Sequence, residues 1–363
     1  MTAAPPCPHF GACGGCTAQD MAPERYRTWK RSLVLDALAR HGLDPGVVAE
    51  LVSVAPQTRR TARFGARAGV LGFTERGGHA LVEVPECKVL APEIIALLPA
   101  LRALARIAAP GRGFVDVPVT LADTGLDVVV RTPRPPDGAQ RQALAAEARR
   151  AGIARVSWQE AGDTRREVAG PPEPVATLRP VRANFAGVAV DLPPAAFLQP
   201  TAEGETALVH EVTGALAGAR RVADLYAGCG PFAFALADRG AQVRAVEGDP
   251  AMAGAIEAAS RRAQAKVTAE ARDLVKRPLL AGELARLDGL VLDPPRAGAP
   301  RQVAEIARSR IPAVVYVSCN PQSFARDARV LLDGGHRLTR VLPLDQFLWS
   351  AHVELAAAFR RMG

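Results

Sequence analysis

The sequence predicts an α/β protein of two parts, an antiparallel α+β half followed by a doubly wound half with a mainly parallel sheet. The chain has 363 residues, more than one ordinary compact core holds. From about residue 200, apolar strand-like runs alternate with helix-like segments, which is typical of a parallel sheet. Before that point, short strand signals are separated by Gly and polar residues. We therefore expect two domains, at 1–185 and 186–363.

The elements of the first half follow from the spacing of apolar residues. Residues 25–42 have helical periodicity and end at Gly42, and further helices are expected at 93–109 and 138–151. Strands are expected at 51–54, 67–73, 80–85, 115–121, 126–131, 153–159 and 186–190. The proline-rich stretch 170–180 indicates a loop or linker.

The elements of the second half alternate in type. Helices are expected at 202–217, 231–239, 250–264, 300–310 and 322–332. Strands are expected at 221–226, 242–247, 266–269, 287–293 and 313–318. The carboxyl ends of parallel strands share one edge of the sheet, so residues that follow these strands are candidates for a functional site.

Composition and charge limit the classes of function. The net charge of +8 suits an anionic partner such as nucleic acid, although a genome rich in Ala, Arg, Gly and Pro codons would produce the same excess of Arg. No run approaches ~18 apolar residues, so we expect no membrane span. The first thirty residues contain no apolar signal segment, and six cysteines are too few for a disulfide scaffold. These features predict a cytoplasmic, reducing location.

A glycine turn marks the candidate cofactor site. Gly228 and Gly230 follow a predicted strand and precede a predicted helix, and glycine permits close backbone approach to a ligand. Glu247 ends the next strand, where it can bind two ribose hydroxyls, and Asp273 follows the third, where it can read an adenine amino group. The turn lacks the longer phosphate-binding patterns. It therefore favours S-adenosylmethionine, the alternative being a purely structural turn.

The candidate reaction centre combines a cysteine with a downstream carboxylate. Cys319 follows the predicted strand 313–318, and Asp293 ends a neighbouring strand. Glu354 follows about thirty residues later, after His352 and Val353. A thiol and a carboxylate suit a nucleophile and a general base. The alternatives are a packing cysteine and a solvated glutamate.

Three more cysteines cluster near the N-terminus. Cys7, Cys13 and Cys16 have the spacing C-x5-C-x2-C, and Cys87 is the candidate fourth ligand. Four thiolates bind either Zn²⁺ or a [4Fe–4S] cluster. The spacing differs from the C-x3-C-x2-C of radical S-adenosylmethionine enzymes, so we expect a closed group that supports structure or positions RNA.

Together these motifs resemble those of the RNA uracil-C5 methyltransferases. The matching pieces are FLQP at 197–200, DLYAGCG at 224–230, Glu247, DPPR at 293–296, SCNP at 318–321 and HVE at 352–354. The resemblance covers nearly the whole chain. It implies a Rossmann-like methyltransferase domain and an RNA-binding domain that carries the cysteine group.

The resemblance also implies a role for each site residue. Cys319 would add to C6 of uracil and Glu354 would remove the C5 proton. Gln199, Tyr226, Glu247 and Asp293 would contact S-adenosylmethionine, with Asp293 and Gln199 also orienting uracil. The target uridine would leave its stack or lie in an RNA loop.

The four cysteines resemble those of the iron–sulfur, ribosomal-RNA branch of the family. Cys7 lies too near the start for a barrel to precede it, so the chain is similar to the short 23S rRNA uracil-747 enzymes. That resemblance favours a [4Fe–4S] cluster over zinc. It also favours 23S rRNA as the partner, and a monomer is the default expectation.

Three residues depart from the family pattern, and three other functions stay open. Thr201 replaces a frequent Asn, while Leu348 and Ser350 replace Pro and Thr in the loop before Glu354. The alternatives are the tRNA branch, which lacks the cysteine cluster, and an RNA-binding protein with a decayed methyltransferase fold. A DNA cytosine-C5 methyltransferase is disfavoured, because it expects Pro before the nucleophile, where this chain has Ser318.

Overall fold

The computed structural model describes residues 3–111, 113–162 and 168–362. Within those ranges the helices are α1 (Pro23–Arg40), α2 (Pro92–Ala96), α3 (Leu98–Ala108), α4 (Gly138–Ala151), α5 (Ala202–Ala215), α6 (Pro231–Asp238), α7 (Pro250–Ala263), α8 (Ala281–Leu284), α9 (Pro300–Arg308) and α10 (Pro321–Asp333). A short 3₁₀ helix spans Pro45–Val47. None of the described helices is long and apolar enough to cross a membrane.

The C-terminal sheet has eight strands within the described residues, in the order β1-β16-β17-β15-β14-β11-β12-β13. They are β1 (Val52–Ser53), β11 (Arg221–Leu225), β12 (Gln242–Glu247), β13 (Val267–Ala271), β14 (Gly289–Leu292), β15 (Ala313–Ser318), β16 (His336–Asp345) and β17 (Glu354–Arg361). Strands β11 to β15 pair in parallel, whereas β17 runs antiparallel to both β15 and β16. The predicted doubly wound α/β fold is confirmed.

Alternate residues of the central strands enter two different cores. In β15, Val315 and Val317 pack with the helices on one face, while Val314 and Tyr316 pack on the other. Both faces are therefore covered, which explains why parallel strands read as continuous apolar runs. Helix α1 supplies Val34 to the second core, so this N-terminal helix closes one face of the C-terminal sheet.

The N-terminal sheet has seven strands among the described residues, in the order β4-β3-β2-β5-β6-β7-β8. They are β2 (Thr61–Arg67), β3 (Val70–Thr74), β4 (Leu81–Val82), β5 (Val115–Ala122), β6 (Gly125–Thr132), β7 (Arg155–Ala161) and β8 (Val168–Thr177). All neighbours are antiparallel except β6 and β7, which α4 connects. A separate hairpin, β9 (Arg182–Phe185) with β10 (Val188–Asp191), packs beside α6 and α7.

Three of the expected elements were wrong in detail. The predicted strand 67–73 crosses a hairpin turn at Ala68 and Gly69, both with positive φ. The proline-rich stretch 170–180 is mostly strand β8, because an edge strand tolerates residues that cannot donate a ladder hydrogen bond. The strand at 51–54 leaves the antiparallel half and pairs in parallel with β16. The boundary between 185 and 186 stays a prediction.

Candidate active site

The candidate residues meet at the carboxyl edge of the C-terminal sheet. Strands β11, β12, β14 and β15 run in the same direction, and each ends immediately before, or at, a residue that the sequence singled out. A crevice at this edge is where open α/β sheets bind ligands. It is lined in part by Phe197, Gln199, Tyr226, Gly228 and Asp293.

The glycine turn after β11 has the backbone that the sequence predicts. Tyr226, Gly228 and Gly230 have φ of 61°, 56° and 89°, all in the left-handed region. At Gly230 a Cβ would also lie 3.0 Å from Phe234, so only glycine fits there without strain. Glu247 supports the turn, since its Oε2 accepts a hydrogen bond of 2.8 Å from Gly228 N.

Asp273 follows β13 at the same edge of the sheet, but its carboxylate already binds its own loop. Its Oδ1 accepts hydrogen bonds from the backbone N–H groups of Val275 and Lys276 at 3.0 and 3.1 Å. These bonds, led by that of Lys276, lower the pKa of Asp273. Its negative charge contributes, after burial and Asp327, to the raised pKa of Tyr226. Asp273 therefore lies near the turn and presents a stable anion.

Asp293 and Gln199 form the centre of the crevice. Asp293 directly follows β14, and its Oδ2 accepts a hydrogen bond of 2.9 Å from Nε2 of Gln199. Burial raises the pKa of Asp293 to about 7, while the Gln199 hydrogen bond favours the charged form. Residues 197–201 are held by Arg60 of the N-terminal half, whose Nε donates to Gln199 O at 2.8 Å and which also pairs with Glu205.

The strand register sets Cys319 beside Glu354. Ser318 of β15 lies opposite Leu355 of β17. Because the strands are antiparallel, continuing this register by one residue sets Cys319 opposite Glu354. Glu354 begins β17 and is 3% exposed. Asn320 caps α10 and donates from Nδ2 to Arg296 O at 2.9 Å, which joins the loops after β15 and β14.

Burial and mutual repulsion shift the acidity of the three reactive groups. Burial, then the charge of Asp293, raises the pKa of Glu354 well above its ordinary value. Burial, then the charges of Glu354 and Asp293, raises the pKa of the Cys319 thiol to about 11, and Arg296 opposes this shift. A half-buried thiol beside one buried and one half-buried carboxyl group is an arrangement suited to proton exchange during nucleophilic catalysis.

Comparison with known proteins decides the family. A family model described as tRNA (Uracil-5-)-methyltransferase matches residues 188–362. An uncharacterized RNA methyltransferase of Brucella suis is 43% identical over 98% of this chain and 84% of its own length. The 23S rRNA (uracil(1939)-C(5))-methyltransferase of Halomonas elongata is 35% identical over 97% of this chain and 75% of its own length. The chain belongs to the RNA uracil-5-methyltransferase family.

The fold agrees with that of a solved structure. The tRNA (uracil-54, C5)-methyltransferase of Pyrococcus abyssi, in complex with S-adenosyl-L-homocysteine, superposes with a TM-score of 0.73 at 22% identity. The alignment covers 95% of this chain and 85% of that one. The chain is thus an S-adenosylmethionine-dependent RNA uracil-C5 methyltransferase with a Rossmann-like fold.

The loop before Glu354 is held by residues that sequence reasoning missed. Buried Lys30 of α1 pairs with Asp345 at 2.7 Å and donates to the carbonyl groups of Phe347 and His352. The Tyr26 hydroxyl donates to Asp345 Oδ2 at 2.6 Å and accepts from Trp349 N at 2.7 Å. The spacing of Tyr26 and Lys30 on one helix face was the available signal, but the sequence did not show what that face covers.

The three departures from the methyltransferase pattern fit this structure. Thr201 accepts a hydrogen bond from Gly204 N at 3.0 Å and so caps α5, a role that Asn also fills well. Leu348 is buried, and the Ser350 hydroxyl donates to Phe347 O at 2.8 Å within the turn. The loop therefore keeps a hydroxyl that closes its turn, with Lys30 and Tyr26 as external supports.

The four predicted metal ligands line one cavity. Cys7, Cys13, Cys16 and Cys87 border a space of about 350 Å³. All six cysteines, each within the described part of the chain, are free thiols. Burial raises the pKa of Cys13, of Cys87 and of Cys16, the last to about 11, and the neighbouring thiols add to each shift. Within the described residues, no group of three or more His, Cys, Asp or Glu is arranged to hold a metal ion.

The cysteine cavity also borders the loop that precedes Glu354. Phe347 and His352 line the same space, and the Arg59 guanidinium lies 5.6 Å from the centre of the Phe347 ring. Just after Cys16, the backbone N–H groups of Thr17 and Ala18 donate to Trp349 O at 2.7 and 3.1 Å. The N-terminal segment therefore supports the loop before Glu354 directly.

Proposed function

We propose that this chain, acting as a monomer, methylates C5 of a uridine in 23S rRNA through a covalent bond between Cys319 and C6 of uracil. The observation that supports the mechanism is the register of β15 and β17, which sets the residue after Ser318 beside Glu354. The half-buried carboxyl of Asp293 lies in the same crevice and accepts a hydrogen bond from Gln199. A nucleophile, a base and an orienting pair are thus adjacent.

The glycine turn and neighbouring strand ends would hold S-adenosylmethionine. The turn presents backbone with positive φ at Gly228 and Gly230, and the Glu247 carboxylate lies against it. Tyr226, Gln199 and Asp293 border the crevice, and Asp273 lies beyond them. When bound, S-adenosylmethionine supplies a methyl group on a positively charged sulfur.

The reaction balances with these residues alone and the two substrates. The Cys319 thiolate adds to C6, and the C5=C6 electron pair moves toward C5 and O4. C5 then bonds to the methyl carbon as the bond from that carbon to sulfur breaks. Glu354 takes the C5 proton, the C5–H electron pair restores C5=C6, and the thiolate leaves C6. The products are 5-methyluridine, S-adenosylhomocysteine and one proton.

The ribosomal substrate is supported by the relative from Halomonas elongata, which is a methyltransferase of uracil 1939 in 23S rRNA. The sequence resemblance favours instead the uracil-747 enzymes. A uridine within paired RNA cannot reach a half-buried thiol at the edge of a crevice, so we expect it to be flipped out of its stack.

Cys7, Cys13, Cys16 and Cys87 would hold a [4Fe–4S] cluster, with zinc as the alternative. Four free thiols around one cavity are the donor set that both groups use. Iron and sulfide analysis and the visible spectrum of anaerobically purified protein test this. We expect about four iron and about four sulfide ions per chain. Both should be lost together in Cys87→Ser, since such clusters use four thiolates. One zinc, or no metal, contradicts the cluster.

The function is tested by nucleoside mass spectrometry of 23S rRNA and tRNA from a strain that lacks the gene, with the purified protein added back. We expect 5-methyluridine to disappear from 23S rRNA and to return with wild-type protein but not with Cys319→Ala. Ser309→Ala is the control, because Ser309 is a buried residue at the end of α9, away from the crevice. Loss from tRNA would favour the tRNA branch, and unchanged RNA would favour a binding protein.

A further inference from the structure

The amide of Gln346 lies between the proposed base and the residue that orients Asp293. Its Nε2 donates to Gln199 Oε1 at 3.0 Å and to Glu354 Oε2 at 3.0 Å. A primary amide nitrogen carries two hydrogens, so both are used. Gln346 is 1% exposed, and water does not compete for these bonds.

These bonds also decide how the Gln199 amide is turned. Because Gln199 Oε1 accepts from Gln346, its Nε2 faces Asp293 Oδ2, to which it donates at 2.9 Å. Two carboxyl groups, those of Asp293 and Glu354, are therefore joined by two amides in series. Without Gln346, the Gln199 amide would lose the partner that distinguishes its oxygen from its nitrogen.

The packing around Gln346 shows that this arrangement has a cost. Its Oε1 is buried and has no hydrogen-bond partner within the described part of the chain. Gly204 of α5 makes room for that oxygen, since a Cβ there would lie 2.4 Å from it. A buried unpaired carbonyl oxygen costs about 1–3 kcal/mol. The amide is therefore explained by what its nitrogen does.

We propose that Gln346 is a positioning residue of the methyltransferase reaction, which holds the Glu354 carboxylate toward C5 and keeps the Gln199 amide turned toward Asp293. The proposal rests on the function proposed above. Glu354 acts after methyl transfer, when it takes the C5 proton and the C5–H electrons expel Cys319 from C6. A misplaced Glu354 would leave the methylated uridine attached to Cys319.

The test compares Gln346→Met, which removes the donors at similar volume, with Gln302→Met. Gln302 is a matched control, because it is also buried and makes two hydrogen bonds, to the backbone of Leu279, away from the crevice. Gln346→Asn is a second variant, since it keeps the amide but is one methylene too short to reach both partners. The readouts are kcat, KM and the covalent protein–RNA adduct on denaturing gels.

For Gln346→Met we expect kcat to fall about 10- to 100-fold, with methylated adduct accumulating at least several-fold above wild type. Gln346→Asn should show the same adduct, and Gln302→Met should show neither change despite lower stability. The proposal is overturned if both Gln346 variants turn over like Gln302→Met, or lose activity without adduct. If the wild-type protein itself methylates no RNA, the proposed function has failed. If the wild-type protein is active and both Gln346 variants match Gln302→Met, only the proposed role of Gln346 has failed.

Discussion

Lys30 and Asp345 form an ion pair at 2.7 Å in which both side chains are fully buried. Lys30 belongs to α1, near the start of the chain, and Asp345 ends β16, just before the loop that leads to Glu354. Burial lowers the pKa of Lys30, and the Asp345 charge opposes that shift. This pair and the Tyr26 hydroxyl make the N-terminal helix a direct support of the loop before Glu354.

Lys30→Met should destabilise the protein by about 3–5 kcal/mol, because it leaves Asp345 buried without its cation. Urea unfolding measures the change. The control is Lys276→Met, because the ion pair of Lys276 with Asp273 has side chains 82% and 43% exposed and should contribute little to stability. Equal effects of the two substitutions would contradict a supporting role for the buried pair.

Thr201→Ala should cost about 1 kcal/mol of unfolding free energy, since Gly204 N loses its capping acceptor at the start of α5. Thr201→Asn should keep most of that stability, because Asn is an equally good cap. Thermal unfolding of the two variants checks this. If Asn were as destabilising as Ala, the departure from the family pattern would need another explanation.

Gly230→Ala should weaken binding of S-adenosylhomocysteine at least tenfold, measured by calorimetry without RNA. The new Cβ would lie 3.0 Å from Phe234, and the alanine would have to adopt a φ of 89°, which costs about 1–2 kcal/mol and distorts the turn. Gly240→Ala is the control. Gly240 has a φ of 96° past the other end of α6, with nothing within 4 Å of its Cβ position. It should lower stability and leave affinity unchanged.

Alkylation of Cys319 by iodoacetamide should accelerate with rising pH up to about 11, because the raised pKa keeps the thiol protonated at neutral pH. Glu354→Gln removes a neighbouring negative charge, so the pKa should fall and alkylation at pH 8.5 should become faster. Mass spectrometry of the peptide that contains Cys319 measures the rate. A slower reaction in Glu354→Gln would show that the two side chains do not interact as described.

Much of the site could be read from the chain because its residues follow strand ends. The glycine turn, Glu247 and Asp293 each lie next to a strand whose apolar run is visible in the sequence, and parallel strands bring such ends to one edge. The strands β16 and β17 were not predicted. Consequently Glu354 was expected beyond a loop with no element assigned to it, whereas it begins a strand that pairs with β15.

Local pattern thus accounts for the doubly wound sheet and the glycine turn, because each depends on residues close together in the chain, and local motifs singled out Cys319 and Glu354 as the proposed nucleophile and base. The tertiary structure alone brought Lys30 to Asp345 and Gln346 to Gln199, contacts that join residues 315 and 147 positions apart. No periodic pattern in the sequence predicts contacts between residues so far apart. They exist because α1 covers one face of the C-terminal sheet and because β16 and β17 fold back beside β15.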